Sequence, residues 1–585
     1  MFRHVIAAAL LASAAPALAS PSQDLTGVLK DHWAWFLQTN PEYATSLGVR
    51  SYDERISDLS LAEADRQAKQ AQLFLDRLKA IPDAGLGAAE RTNKAILSRL
   101  LSEQVEGNKF GERQILFTTY YGWHQSAAEL ANNVPFATRA DYESYLTRLA
   151  QYPKLNGEAL KITRDAVAEG YVQPCDALSG YEKTIIGVVA DDPTKSRFYQ
   201  PFLGNRPADM SDADWTAMKA RAAKLITDVL NPEYRKFYDF YTKDYAPKCR
   251  KTVGASAMPN GAAWYAYRAR VMTTTDKTPE EIHQIGLGEV KRIRAEMEAV
   301  AKQAGYPGRE AFIQELRTNP KYYAKTPEEL LAVAALQAKR NDGKLPQYFG
   351  RLPRLPYGIK PIPAETAETT TTAYAQAGSL ASGLASTYWV NTSKLNQRPF
   401  WELPALTTHE AMPGHLFQLG LQQELELPDF RKYEASFTAF VEGWALYTER
   451  LGIEMGVYDT PEKQMGRLSY EMWRACRLVV DTGMHAKGWT KAQAVAFMKD
   501  NTALTDANIE AEVNRYISWP GQALAYKMGE LKIRELRARA ESALGPKFDI
   551  KRFHDAVLGQ GPVPLDVLDA QIEEWIKGEK STPLP

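Results

Sequence analysis

Eight histidines occur in the 585 residues of this chain. Two of them flank a glutamate in Thr407-Thr408-His409-Glu410-Ala411-Met412-Pro413-Gly414-His415. Neutral imidazole nitrogens suit Zn²⁺, and a carboxylate beside the first ligand is where a zinc hydrolase keeps the base that deprotonates zinc-bound water. The common pattern, H-E-x-x-H on one helix, puts its histidines at i and i+4 on one face. Here the two histidines are six positions apart, which on a regular helix is about 240° of rotation, so they would face nearly opposite ways. Pro413 has no N–H and clashes with the carbonyl four residues back, that of His409. Gly414 adopts backbone shapes that other residues resist. A bulge or helix break at this point returns His415 to the side of His409. A plain helix end carrying two unrelated histidines is the other reading that spacing alone leaves open.

Downstream, residues 433–450 (YEASFTAFVEGWALYTER) read as a buried helix with Glu442 in its middle. A carboxylate in such surroundings needs a cation, a metal or a proton. Gly443 weakens a helix but permits another backbone to approach closely. One glutamate on a second helix, a few turns after two histidines, is the gluzincin ligand set. Glu449, two turns on, is either a fallback ligand or the partner that orients a histidine. A buried arginine paired with Glu442 is the non-metal alternative.

Five stretches carry a resemblance: HEAMPGHLFQ (409–418), EGWALYTERLG (442–452), TPEEIHQIGLGEVKRI (278–293), RLVVDTGMHAKGWT (477–490) and RYISWPGQALAYKMGELKI (515–533). Together they resemble the bacterial family catalogued as domain of unknown function 885, related to the zinc metallopeptidases. In that family the six-residue histidine spacing is the normal form. The resemblance implies a mainly α, large helical zincin-like fold with a central cleft, and one zinc per chain on His409, His415 and Glu442.

Further candidates follow on the C-terminal side. Arg477, Asp481 and His485 fall at i, i+4 and i+8 on an otherwise apolar helix, a polar stripe along one face. His485, oriented by Asp481, is a candidate donor to an oxyanion or a substrate carbonyl. Arg477 either binds a substrate carboxylate or neutralises Asp481. Arg515, Tyr516, Gln522 and Tyr526 surround a Trp519-Pro520-Gly521 corner. Tyr526, and after it Tyr516, are candidates for a second electrophile beside the metal, with Arg515 and Gln522 as substrate contacts. The run Thr387–Thr392 has strand composition, and is expected either as an edge strand holding extended substrate or as an internal strand.

The elements that must position these residues are mostly helical. Apolar residues recur at three and four within 28–38, 61–81, 89–105, 142–152, 159–170 and 215–241. Thr278-Pro279-Glu280-Glu281 and Thr326-Pro327-Glu328-Glu329 are helix-start signals. Residues 344–376, rich in Pro and then Thr, read as loop with short extended pieces, and 387–392 as the small β element next to the metal helix. The Gly/Pro/Asn stretch 253–261 divides an N-terminal helical region (20–252) from a zinc-binding region (253–585). Residues 1–19 read as a signal peptide, with a basic start, a short apolar run and Ala17-Leu18-Ala19 at the cleavage site. No cysteine follows them to carry a lipid. Export permits a disulfide, for which Cys175 and Cys249 are the natural pair, leaving Cys476 as a buried thiol.

With 71 basic and 71 acidic residues the formal net charge is zero, which gives no reason to expect a nucleic-acid partner. No stretch after the signal is long and apolar enough to enter a membrane. The expected protein is a periplasmic or secreted zinc peptidase for short peptides, of carboxypeptidase, dipeptidase or oligopeptidase type. Two rivals remain: a zinc amidohydrolase on a non-peptide amide, and a non-catalytic periplasmic binding protein with a vestigial metal site.

Overall fold

A serine at position 20 starts the first helix, α1 (Pro21–Thr39), by accepting the Gln23 N–H while the Gln23 side chain returns to the Ser20 backbone. The computed structural model describes residues 20–581 apart from 120, 368–369 and 381–382; the expected signal peptide lies outside the described residues. Helices α2 (Leu61–Ala80) and α3 (Ala88–Gly107) follow. Their apolar stripes bury Leu25, Phe74 and Leu97 in one core with Phe417, Trp444 and Leu568. Residues before and after the expected division at 252/253 therefore share this core.

Residues 117–245 contribute a second core, dominated by aromatic side chains such as Phe117, Tyr145, Trp215 and Phe237. Within it Phe117, Trp123 and His124 are buried while Tyr121 is exposed. Cys175 and Cys249 form the expected disulfide, closing a loop that in the chain-entropy account stabilises by about 4 kcal/mol. Cys476 is a buried free thiol.

Helices α4 (Gly261–Thr273), α5 (Pro279–Gln303) and α6 (Pro327–Asp342) come next. Thr278 and Glu281 make the expected capping box of α5, and Thr326 caps α6. The strands β1 (Tyr357–Pro361), β2 (Ala373–Gln376) and β3 (Ser386–Val390) form one sheet in the order β1-β3-β2. β3 runs parallel to β1 and antiparallel to β2. Residues 387–390 thus belong to the central strand, and the expectation of an edge strand there is corrected: β3 is occupied on both sides, and β1 and β2 are the outer strands.

The remaining helices carry the site: α7 (Leu403–Glu410), α8 (His415–Gln422), α9 (Thr438–Leu451), α10 (Pro461–Lys487), α11 (Asp506–Ser518), α12 (Leu524–Leu544) and, closing the chain, α13 (Leu565–Ser581). In α10 every residue from Met465 to His485 is buried. A helix this enclosed has no solvated face for Arg474, Arg477 and Asp481, so each must find a partner inside the protein. No helix among the described residues is long and apolar enough to cross a membrane.

Candidate active site

The six-residue histidine spacing is absorbed by breaking the helix. α7 ends at Glu410, the chain turns through Ala411 and a cis Met412–Pro413 peptide, and α8 begins at His415. Gly414 is required at the turn, because a Cβ there would lie 1.8 Å from the His409 carbonyl oxygen. Two side chains fasten the break with three hydrogen bonds. Trp444 Nε1 donates to the Pro413 carbonyl at 2.9 Å, and Asn341 Nδ2 donates to the Met412 carbonyl at 3.0 Å and to Thr408 Oγ1 at 3.1 Å.

The break brings the two imidazole rings perpendicular to one another with centroids 4.8 Å apart. α9 supplies Glu442, whose Oε2 lies 3.5 Å from His409 Nε2 and 3.3 Å from His415 Nε2. One ligand atom from each of the three residues falls within 4.8 Å of the others. Glu442 reaches this position because α9 and α12 cross at two glycines. A Cβ on Gly443 would come within 2.5 Å of Gly529 Cα, so only glycine permits the approach.

The donor set fits a divalent cation such as zinc. Glu442 Oε2 is buried and has no hydrogen-bond partner although two ring nitrogens face it, and two imidazoles with one carboxylate are ordinary zinc ligands. Glu449 stands outside this group and orients one of its members: its Oε1 accepts from His409 Nδ1 at 2.8 Å, which leaves Nε2 directed at Glu442. Arg474 Nη2 lies 3.5 Å from the same Glu449 oxygen.

The electrostatics follow from depth and neighbours. Burial by itself would push the Glu442 carboxyl up, but the imidazoles of His415 and His409 hold it well below the usual carboxylate range. Burial resists a charge on His409, yet Glu442 and Glu449 raise its imidazole to about 9. Glu410 behaves oppositely. Burial raises its carboxyl, and the nearby histidines only partly offset that. Two neighbouring glutamates are thus driven in opposite directions, one toward ligation and one toward holding a proton.

These four residues line a cavity of about 770 Å³. Thr370–Ala375, which run into the outer strand β2, also line it. The loop before β2 is held by Asn391, whose amide donates to the carbonyls of Ala367, Thr370 and Thr371. Trp473, Arg474, Arg477, Glu512, Arg515 and Tyr526 line a further side.

Of the secondary candidates, Tyr526, Arg477 and Arg515 reach the cavity and three others do not. Tyr526 Oη accepts from Arg515 Nη2 at 3.2 Å. Arg477 pairs with Glu512 rather than with Asp481. His485 is corrected as a catalytic candidate. It is fully buried, Nδ1 accepts the Ala255 N–H at 3.0 Å, and Nε2 donates to the Tyr516 carbonyl at 2.9 Å, so neither nitrogen can reach a substrate. Asp481 does not orient it; that carboxylate accepts from Tyr265 Oη and the Gly521 N–H. Tyr516 is likewise corrected: its buried hydroxyl donates to Glu512 at 2.7 Å and accepts from Trp473 Nε1 and Arg477 Nε. Gln522 is buried and accepts from Arg515 at 2.9 Å, so it positions that arginine and touches no substrate.

Sequence reasoning missed Arg474, Glu512 and Glu402. The first two carry a legible signal, since Arg474/Arg477 and Glu512/Arg515 are i,i+3 pairs on helices. Glu402 has none. It lines the cavity near Arg398, Arg317 and Arg474, and burial raises its carboxyl to about 7 against their pull.

Residues 41–572 match the family described as "Bacterial protein of unknown function (DUF885)", and the chain belongs to that family. No curated protein matches the chain. Two solved structures are similar over nearly its whole length. One is "the putative lipoprotein from Colwellia psychrerythraea", with a TM-score of 0.85 and 26% identity, covering 96% of this chain and 100% of that one. The other, designated a lipoprotein of unknown function from Shewanella oneidensis, has a TM-score of 0.75 and 20% identity, covering 95% and 100%. The second likeness bears on the fold alone.

Proposed function

We propose that this protein is an exported zinc-dependent peptidase that hydrolyses short peptides. The observation that carries the reading is the convergence of His409, His415 and an unpartnered Glu442 oxygen beside Glu410, all on the wall of one cleft. Bound by those three residues, zinc would supply Lewis acidity, polarising a carbonyl and making water easier to deprotonate. Glu410 takes the proton of the attacking water and returns it to the leaving amine; its raised carboxyl suits a group that must both accept and donate. Tyr526 offers a hydroxyl to the developing oxyanion, a contribution of about 3 kcal/mol for one such donor. The outer strand β2 pairs with an extended peptide backbone, as edge strands do. A cavity of about 770 Å³ is of the size that encloses small ligands and short peptides. Export is supported by the signal-like start of the sequence and by the designation of the Colwellia psychrerythraea structure as a lipoprotein.

Metal analysis of the wild type and of Glu442→Ala tests the site, with one zinc per wild-type chain and a lost or much weakened ion in the variant as the expected result. Hydrolysis of a peptide library by the zinc-loaded wild type, and not by Glu410→Gln that still holds zinc, tests the chemistry. A wild type that takes up no stoichiometric metal after zinc is added back would move the reading to a non-catalytic binding protein.

A further inference from the structure

Arg477 is held by its surroundings on every side but one. It is 2% exposed yet lines the cleft. The rings of Trp473 and Tyr526 lie 4.5 and 4.3 Å from its Cζ, a stacking that suits the planar guanidinium. Nε donates to Tyr516 Oη at 3.0 Å and Nη2 to Glu512 Oε2 at 2.9 Å. Nη1 is buried and has no hydrogen-bond partner in the protein. A buried cationic donor left unmade is costly, and at a cleft wall it is completed by whatever enters.

The charge balance of this corner favours an anion. Arg477 and Arg515 flank a single carboxylate, Glu512, which lies 3.7 Å from Arg515 Nη1. One positive charge is in excess. Along α10, Arg477 is one turn beyond Arg474, the residue that reaches toward Glu449 behind His409. Three helical residues advance about 4.5 Å, between one and two extended residues at roughly 3.3–3.6 Å each.

We infer that this corner takes the free C-terminal carboxylate of the peptide, which makes the enzyme an exopeptidase acting a residue or two from that end. The inference rests on the peptidase reading above. Arg477 serves as the anchor, and Tyr516, Glu512, Trp473 and Tyr526 hold its guanidinium in place. The Nη1–H becomes a charge-assisted hydrogen bond to one carboxylate oxygen.

The test compares N-acetylated tripeptides as free acids and as C-terminal amides, in two measurements. In zinc-loaded wild type, kcat/KM for the acid should exceed that for the amide by about 10- to 100-fold, the range for one charge-assisted hydrogen bond. In Glu410→Gln, binding of the same pair is followed by tryptophan fluorescence, since Trp473 and Trp519 line the cleft, and the acid should again bind more tightly. Arg477→Lys keeps the charge and loses the fork, so its preference should fall. Arg477→Gln combined with Glu512→Gln removes both charges together and should abolish the preference, without leaving a buried carboxylate unpaired. Acid-selective binding without hydrolysis of any peptide would support the carboxylate site while sinking the peptidase reading. Equal binding of acid and amide, or binding of neither, overturns the inference. An amide carrying a glutamate side chain that is preferred as strongly as the free acid would also overturn it, by placing a side-chain carboxylate there instead.

Discussion

Gly529→Ala separates the integrity of the metal ligands from that of the fold. α9 and α12 touch backbone to backbone, and a Cβ at position 529 would lie 1.8 Å from the Ala439 carbonyl oxygen and 2.8 Å from Gly443 Cα. An ordinary carbon–oxygen approach is about 3.3 Å, so the helices must separate by roughly 1.5 Å at this level. No flexible side chain can yield, because both clashing groups are backbone. Overpacking of this kind costs about 3 kcal/mol. Ala439 is one turn before Glu442 on the same helix, so the displacement is passed to the carboxylate that faces His409 and His415. Metal ligands tolerate errors of about 0.2 Å, far less than that movement. The expected variant is folded but less resistant to urea, and its zinc affinity falls by more than tenfold. Denaturant unfolding and chelator competition read the two effects separately, and the stability arm does not depend on the metal. Gly578→Ala is the control: nothing lies within 4 Å of the added Cβ, and replacing a helical glycine there should be neutral or stabilising. A Gly529→Ala protein with the wild-type urea midpoint and wild-type zinc affinity would refute the crossing argument altogether.

Two further outcomes are expected. Glu449→Gln preserves shape but removes the charge that His409 Nδ1 donates to; zinc affinity should drop about 10- to 100-fold with the fold retained, and a change within twofold would deny Glu449 its orienting role. His124, His485 and His554 are buried, and burial lowers their imidazoles to about 4, 4 and 3. A depressed imidazole means that the unfolded chain takes up protons below about pH 6.5 while the folded one does not. Stability is therefore full above that pH and is lost as pH falls toward 4, by up to about 3 kcal/mol for each of the first two. The urea midpoint should decline over that window, and NMR signals from these three rings titrating near 6.5 in the folded protein would contradict the reasoning.

What the sequence revealed about the site depended on how local the cause was. The cluster of His409, His415 and Glu442 is written in two short motifs, and the helix break follows from Pro413 and Gly414 alone, since a missing donor and a missing Cβ act on their immediate neighbours. The capping boxes were legible for the same reason. Assignments failed where three-dimensional partners decide. The stripe Arg477–Asp481–His485 was read as one functional face, but α10 is enclosed all round, and three different neighbours claim its members: Glu512 for Arg477, Tyr265 for Asp481, and the Ala255 and Tyr516 backbones for His485. Composition marked 387–392 as a strand, yet whether a strand is central or at an edge depends on what lies beside it. The outer strands are instead β1 and β2, short pieces of the Pro- and Thr-rich stretch whose composition does not say where in a sheet they lie.

The enclosed ionic groups beneath the site hold the long helices in register. Lys527 is fully buried on α12 and lies 2.9–3.0 Å from Glu289 of α5, Glu471 of α10 and Glu530 of its own helix. Arg467 joins Glu471 at 2.8 Å, and Arg292 also reaches it. Three cations and three carboxylates balance, so no net charge is left in the interior, but desolvation offsets most of the attraction and such a cluster adds little to stability by itself. Its effect is geometric. Apolar side chains accept many near-equivalent packings, whereas the ammonium of Lys527 meets all three carboxylates in only one arrangement of the helices. Lys527 is two residues from Gly529, where α12 meets the helix of Glu442, and Glu471 is one turn before Arg474, which braces Glu449. The cluster therefore ties α12, against which the helix of Glu442 packs, to the helix of the cleft arginines, at a point where hydrophobic packing alone would allow them to slide.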